Sequence, residues 1–330
     1  MTVKFLIIRF SSIGDIVLTT PVIRCLKQQV ENAEVHFLTK KQFYPVIQAN
    51  PYIDKIHLLG DTMYEVTDVL KEEGFHHIID LHNNLRSRTV KKRVKVYNFS
   101  VNKLNWKKWL LVNFKINKMP DVHIVDRYLD TIKLFDAYID NKGLDYFIPP
   151  EEEVNLTSLP EPFQKNYIAL VVGANHFTKQ MPNEKIIDIC NQLDYPVMLM
   201  GGTTDVNNAK VIEKQVNKPI YNACGKYSIN QSASLIKQAQ VVITPDTGLM
   251  HIAAAFKKKI ISVWGNTVPE LGMYPYQPHP ASQLFENKDL KCRPCSKIGF
   301  KKCPKGHFNC MNQIENGQIL ETAQKLLKED

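Results

Sequence analysis

The chain has 330 residues, 44% of them hydrophobic, which suffices for two domains with full cores. No apolar run is long enough to cross a bilayer, and the opening MTVKFLIIRF carries no signal-peptide cleavage pattern, so a cytoplasmic protein is expected. The net charge is +9, yet residues 81–120 alone hold eleven Lys or Arg and no acid, leaving the remainder at −2 and directing that one segment toward an anionic partner.

In chain order, KFLIIRF reads as a buried strand and 16–30 as a helix. AEVHFLT is a strand before a helix at 41–49, and IDKIHLL a strand before a helix at 62–73. HHIIDLH is followed by a basic helix at 84–93 and the strand VKVYNF, with further helical patterns at 103–117 and 122–138. Short apolar strands between helices predict a parallel sheet with right-handed crossovers. Residues 147–166 hold four Pro and four Glu and read as a linker. Alternation then restarts: YIALVV, YPVMLMG, QVVITP and KKIISVWG are strands, separated by helical patterns. The expected fold class is α/β, two Rossmann-like doubly wound domains facing a central cleft. Their expected bounds are 1–150 and 151–315, with a terminal amphipathic helix at 316–330.

In open parallel sheets, ligands bind beyond the carboxyl ends of the strands. In the second half those ends are GANHFTK (173–179), GGTTD (201–205), PDTG (245–248) and GNTVPE (265–270). All are small, polar or Gly-bearing, and they should converge on one rim. PDTGLMHIAAA opens a helix whose first N–H groups favour an anion, so Thr247 and Gly248 suit a diphosphate and His251 can add a donor. Asp246 there either orients a sugar or a main-chain donor, or only caps the helix. Lys179 is either a phosphate contact or a solvated loop residue.

In the first half, SSIGD follows the first strand. With one Gly it lacks the G-x-G-x-x-G spacing of a dinucleotide loop, which argues against a Rossmann dehydrogenase. In the basic segment, RSRTVKKRVK holds six cations, of which Arg86 and Arg88 are the expected anion contacts. On a helical wheel, Trp106, Trp109, Leu110, Val112, Phe114 and Ile116 share an apolar arc, opposite Lys107, Lys108, Lys115 and Lys118. Such a helix suits a bilayer surface or a groove for an acylated, phosphorylated acceptor; the alternative is a core-facing helix with a solvated cationic face. No nucleic-acid motif accompanies the charge, so no nucleic-acid partner is expected. Cys292, Cys295, Cys303 and Cys310 form a C-x2-C-x7-C-x6-C cluster, read as a structural four-thiolate zinc site, with His307 able to replace one Cys; the alternatives are reduced thiols or disulfides formed on oxidation.

RFSSIGDIVLTTP, KQMPNE, DTGLMHIAAA and GNTVPE occur in this order and spacing, and together they resemble glycosyltransferase family 9, the lipopolysaccharide heptosyltransferases. The resemblance implies a GT-B fold with a nucleotide sugar, typically ADP-heptose, on the C-terminal domain. It implies a lipid A–inner core acceptor on the N-terminal domain, transient contact with the inner-membrane surface, and inverting transfer with no metal cofactor for the chemistry. By the same resemblance Asp15 is the general base. Lys179, Asp246, Thr247, Gly248 and His251 hold the donor, with Thr178 and Thr203 beside them. Ser12 and Gly14 join Arg86 and Arg88 on the acceptor side. The alternative is a non-catalytic nucleotide-sugar-binding or membrane-recruited scaffold of the same fold.

Overall fold

The fold is that of a computed structural model, which describes residues 2–60 and 62–329. It divides into two compact units: residues 1–103 with 122–147, and residues 104–121 with 148–330. The segment 104–121 therefore leaves the first 150 residues and joins the second unit, a departure from a continuous N-terminal domain.

In the first unit, β1 (Val3–Ile8), β2 (Ala33–Lys40), β3 (Lys55–Leu59), β4 (His77–Asp80) and β5 (Tyr97–Ser100) form one parallel sheet in the order β3-β2-β1-β4-β5. Helices α1 (Ile13–Val17), α2 (Thr20–Gln29), α3 (Met63–Glu72) and α4 (Leu85–Val94) connect them. Of the next two helices, α5 (Asn105–Phe114) belongs to the second unit and α6 (Ile124–Leu129) to the first. Leu6, Ile8, Leu38 and Ile78 of the strands pack against Val66 and Leu70 of α3 and Val90 of α4.

In the second unit, β6 (Ile168–Val171), β7 (Val197–Met200), β8 (Ile220–Asn222), β9 (Val241–Pro245), β10 (Lys259–Trp264) and β11 (Gln283–Glu286) are ordered β11-β10-β9-β6-β7-β8, again all parallel. Around them lie α7 (Asn183–Gln192), α8 (Val206–Gln215), α9 (Ile229–Gln238), α10 (Gly248–Ala255), α11 (Asn309–Asn312) and α12 (Asn316–Lys328). The terminal helix α12 buries Ile319, Leu320, Ala323 and Leu326 in the same core as β6, β7 and β9, so it is part of this unit and not an appendage. Each sheet reverses its strand order once, between β1 and β4 and between β6 and β9, and these two switch points are where ligand crevices open in such folds.

Three expected elements differ for local reasons. The predicted helix at 16–30 is two helices, because Pro21 has no N–H for the carbonyl four residues back. Thr19 Oγ1 donates to the Ile16 carbonyl at 2.6 Å and Thr20 Oγ1 to the Val17 carbonyl at 2.8 Å, which satisfies the broken turn. The predicted helix at 41–49 is a short 3₁₀ segment, Lys41–Val46, with Pro45 inside it. The predicted helix at 122–138 ends at Leu129, before a 3₁₀ turn at Lys133–Phe135. Two edge strands, β8 and β11, are three and four residues long, too short for a periodic signal to reveal.

Candidate active site

The first switch point carries Asp15. Residues 9–12 leave β1, and Asp15 sits in the first turn of α1, where its carboxylate reaches back along the chain. Its Oδ2 accepts from the Ser12 backbone N–H at 3.1 Å and from Ser12 Oγ at 2.7 Å, and its Oδ1 pairs with Arg9 Nη2 at 2.6 Å. Capping and charge pairing thus coexist in one group. Gly14 is buried beside it and Ser12 is exposed.

Arg9 is the residue that sequence reasoning missed. It is only 8% exposed, and its Nε donates to the Ser11 carbonyl at 2.8 Å. Its Nη1 donates to the Leu81 carbonyl beyond β4 at 2.6 Å and to Tyr128 Oη at 2.9 Å. The guanidinium spans the gap between the two reversing strands. Burial disfavours its charge, but the Asp15 carboxylate beside it outweighs that and raises its pKa. Burial also pushes the Tyr128 hydroxyl up to about 12, so Tyr128 stays protonated. Asp80 at the end of β4 is fully buried; its Oδ1 accepts from the His82 and Asn83 backbone N–H groups, and its Oδ2 pairs with Lys91 at 2.9 Å.

His82, packed edge-on against Phe10, is held neutral: burial, then Arg9 and Lys103, push its pKa down to about 4. An unfolded chain protonates the same imidazole near pH 6.5. Between pH 6.5 and 4 the unfolded state therefore binds more protons, and the stability present above that window is lost as pH falls through it. Denaturant midpoints at pH 7.5 and 5 should differ, and His82→Gln should narrow the difference. A variant with the full wild-type difference assigns the effect to other groups.

At the second switch point the four strand-end loops of this unit do converge. Lys179, closing the 3₁₀ turn Phe177–Lys179 after β6, pairs with Asp246 after β9 at 2.6 Å. Thr267, in the loop after β10, donates to the same Asp246 Oδ2 at 2.9 Å. The backbone N–H of Asn266 reaches the Thr178 carbonyl at 3.4 Å, and a Cβ on Gly265 would meet that carbonyl at 2.7 Å, so only Gly allows the approach. The fourth loop closes through Asp205, whose carboxylate occupies the space a side chain on Gly173 would take, 2.0 Å from its Cβ position, and accepts from the Gly202 N–H at 2.8 Å. Asp205 is half-buried, and burial raises its pKa.

Asp246 does not cap α10. Thr247 does, its Oγ1 accepting from the Met250 N–H at 3.3 Å, with extended backbone before Gly248. By helix geometry the N–H groups of Gly248 and Leu249 have no carbonyl within the helix and face the strand ends. His251 lies in that first turn, 2% exposed, so it is not a surface group. Beneath the rim, Arg293 donates to the Gly265 carbonyl at 2.6 Å and the Thr267 carbonyl at 2.8 Å while pairing with Glu286 at 2.9 Å. It sets the shape of the 265–267 loop, and nothing local in RPC marked it.

The structure places other expected residues differently. Thr178 is 1% exposed, and its Oγ1 is spent on the Phe300 backbone, accepting from the N–H at 2.8 Å. It holds a loop and presents no hydroxyl to a donor. Thr203 is exposed, opening the 3₁₀ turn that carries Asp205. Arg86 and Arg88 are exposed on α4. The rest of that basic run is partly neutralised by acids outside it, Lys91 by Asp80 and Arg93 by Asp68 at 2.9 Å. On α5 the wheel has a different phase: Leu111 is buried against Val268, Leu271 and Met119, while Trp106 (67% exposed) stacks on Trp109 and Phe114 meets Trp109 edge-on, an exposed aromatic cluster. Lys115 leaves the cationic face, its Nζ donating to the Val112 and Pro294 carbonyls at 2.6 and 2.7 Å, and burial lowers its pKa.

Cys292, Cys295, Cys303 and Cys310 gather in one region as free thiols, with Cys292 Sγ 4.0 Å from His307 Nε2. Burial, then the neighbouring sulfurs, raises Cys295, and burial pushes Cys310 up to about 12. Among the described residues, the group of three or more metal-type ligand atoms lying within 4.8 Å of one another is found elsewhere, at His36, His57 and Glu73.

A family model described as "Glycosyltransferase family 9 (heptosyltransferase)" matches residues 63–302. The chain belongs to glycosyltransferase family 9. It is 25% identical to lipopolysaccharide heptosyltransferase 1 of Campylobacter coli over 99% of this chain and all of that one. Its fold matches the solved family 9 glycosyltransferase of Veillonella parvula with a TM-score of 0.81 at 19% identity, covering 99% of this chain and 98% of that one. It also matches the E. coli ADP-heptose lipopolysaccharide heptosyltransferase II, with a TM-score of 0.75 at 18% identity over 98% of each. The architecture is GT-B, two Rossmann-like domains, and the chain is a glycosyltransferase of the heptosyltransferase family. No helix among the described residues is long and apolar enough to cross a membrane.

Proposed function

We propose that this enzyme transfers a heptose from ADP-heptose to an anionic glycolipid of the lipopolysaccharide core, with inversion at the anomeric carbon. The observation that carries the reading is the convergence of three strand-end loops on Lys179, Asp246, Thr267 and the start of α10, with the fourth loop joined to the first where Asp205 packs on Gly173. A cation and a helix N-terminus at one switch point form an anion site suited to a nucleoside diphosphate. The E. coli relative described as an ADP-heptose enzyme supports the donor.

In the reaction, the Asp15 carboxylate takes the proton of the acceptor hydroxyl as that oxygen attacks the anomeric carbon and the bond to the diphosphate breaks. Lys179 and the N–H groups of Gly248 and Leu249 receive the charge that develops on the leaving nucleoside diphosphate. For this, Lys179 exchanges part of its pairing with Asp246 for phosphate oxygen, while Thr267 keeps Asp246 hydrogen-bonded. On the first unit, the exposed Arg86 and Arg88 are proposed to meet the anionic acceptor, and on the second unit the exposed Trp106, Trp109 and Phe114 are proposed to meet its acyl or membrane surface.

A thermal-shift series with ADP-, UDP- and GDP-sugars tests the donor, since a ligand bound only by the native state raises its melting temperature. ADP-heptose should give the largest shift, and Lys179→Ala should reduce the shift from both ADP-heptose and ADP. A larger shift from a UDP- or GDP-sugar replaces the donor assignment. An undiminished shift in the variant removes Lys179 from the diphosphate site.

A further inference from the structure

On the first unit, away from Asp15, two buried histidines lie on neighbouring strands. His36 of β2 is 1% exposed and His57 of β3 is 5% exposed. In the parallel register His36 pairs with Lys55 and Leu38 with His57, so the two imidazoles rise from the same sheet face two positions apart. His36 Nδ1 lies 2.9 Å from His57 Nε2. Glu73, just past the C-terminus of α3, places Oε1 4.0 Å from His57 Nε2. Phe75 closes one side, edge-on to both rings with centroids 5.0 and 6.0 Å away. The cluster lies at the β3 edge of the sheet, whereas Asp15 follows the central strand β1 at the reversal with β4.

A carboxylate stands behind the pair: Glu34 Oε1 lies 2.7 Å from His36 Nε2, leaving Nδ1 as the ring nitrogen that faces His57. Two imidazole nitrogens and the Glu73 carboxylate thus lie within 4.8 Å of one another, with a second carboxylate, Glu34, orienting one imidazole from behind. Metal-binding histidines are characteristically held in this way.

We propose that His36, His57 and Glu73 form a two-histidine, one-carboxylate site for a divalent transition-metal ion of the zinc class. Zinc takes nitrogen at about 2.0–2.1 Å in tetrahedral geometry, which places ligand atoms about 3.3 Å apart. The His36–His57 pair opens slightly from 2.9 Å and Glu73 closes from 4.0 Å to meet that spacing. Lys55, more than half exposed, pairs with the same Glu73 oxygen and is the competing cation; it swings into solvent when the ion enters. The ion clasps the edge strand β3 and the end of α3 to β2. It is separate from the cysteine cluster in ligands and in position.

The test titrates the full-length, chelator-treated protein with Co²⁺ alone. Cobalt held by nitrogen and oxygen shows visible d–d absorption without thiolate charge transfer, so the cysteines report separately. One equivalent of the charge-transfer-free signal is expected, and His57→Gln should abolish it. Two surface variants decide the matter even if His57→Gln folds poorly. Glu34→Gln should weaken the ion about 10–100-fold by removing the negative charge behind His36, and Lys55→Gln should tighten it by removing the competitor. Absence of the signal overturns the proposal. So does a signal that Glu34→Gln and Lys55→Gln leave unchanged.

Discussion

Asp15→Ala should lower the turnover of sugar transfer by about 10²–10⁴-fold, the usual contribution of a positioned general base. Donor binding should survive, because the residues proposed to hold the diphosphate all belong to the second unit. Folding should survive too. Arg9 loses one partner but keeps the Ser11 and Leu81 carbonyls and Tyr128 Oη, and Ser12 can turn to water because it is exposed. Asp15→Asn is the sharper variant, since it keeps the shape and the ability to accept from Ser12 while removing the charge. Steady-state transfer assays beside ADP-heptose thermal shifts separate the two effects. Wild-type turnover in either variant would falsify the assignment of Asp15 as the base. The pairing with Arg9 bears on the mechanism as well. Arg9 and Ser12 occupy both carboxylate oxygens, so the acceptor hydroxyl must displace part of that pairing to reach the base.

Arg24→Ala should destabilise the first unit by about 3–5 kcal/mol. Arg24 is 2% exposed on α2 and holds the end of the unit, residues 140–145, in place. Its Nε and Nη2 grip the two oxygens of Asp140 at 2.7 and 2.8 Å, its Nη2 also reaches the Gly143 carbonyl at 2.8 Å, and its Nη1 donates to Asp145. Burial raises the Asp145 carboxyl, so that group depends on the guanidinium for its charge. At Asp140 burial acts in the same sense, but the Arg24 hydrogen bond wins and holds the carboxyl below its ordinary range. Removing Arg24 leaves two part-buried carboxylates facing each other, and most of the loss is that uncompensated charge. Arg24→Lys should recover only part of it, because an ammonium cannot reproduce the fork. Urea unfolding of the variants measures this. A loss below about 1 kcal/mol would show that water enters and solvates the acids in place of the cation.

The fold was legible from local pattern wherever apolar runs and turn residues alternate. KFLIIRF, YIALVV and QVVITP are buried strands, and the Gly-bearing loops after them lie where ligands approach in such sheets. Helices were less legible where a single residue interrupts them, as at Pro21 and Pro45, or where apolar residues surround the whole wheel. On α5 the pattern offered two phases, and packing chose Leu111 for the inside because Val268 and Leu271 lie opposite it. His36 and His57 sit at alternating strand positions and look like ordinary core residues in sequence.

The residues by themselves determined two doubly wound halves, the membership of SSIGD and DTGLMHIAAA in one family pattern, and the concentration of positive charge in one segment. Only tertiary structure decided which groups meet. Arg9 finds Leu81 and Tyr128, 72 and 119 residues away, and Lys179 finds Asp246 across the reversal between β6 and β9. It turned Thr178 inward to Phe300 and gave Lys91 and Arg93 acidic partners from outside the basic run. The physical reason is that periodicity records which face of an element is buried, whereas pairing depends on strand order. In these sheets strand order is not chain order, so the partners of a strand-end side chain come from loops that local pattern cannot connect.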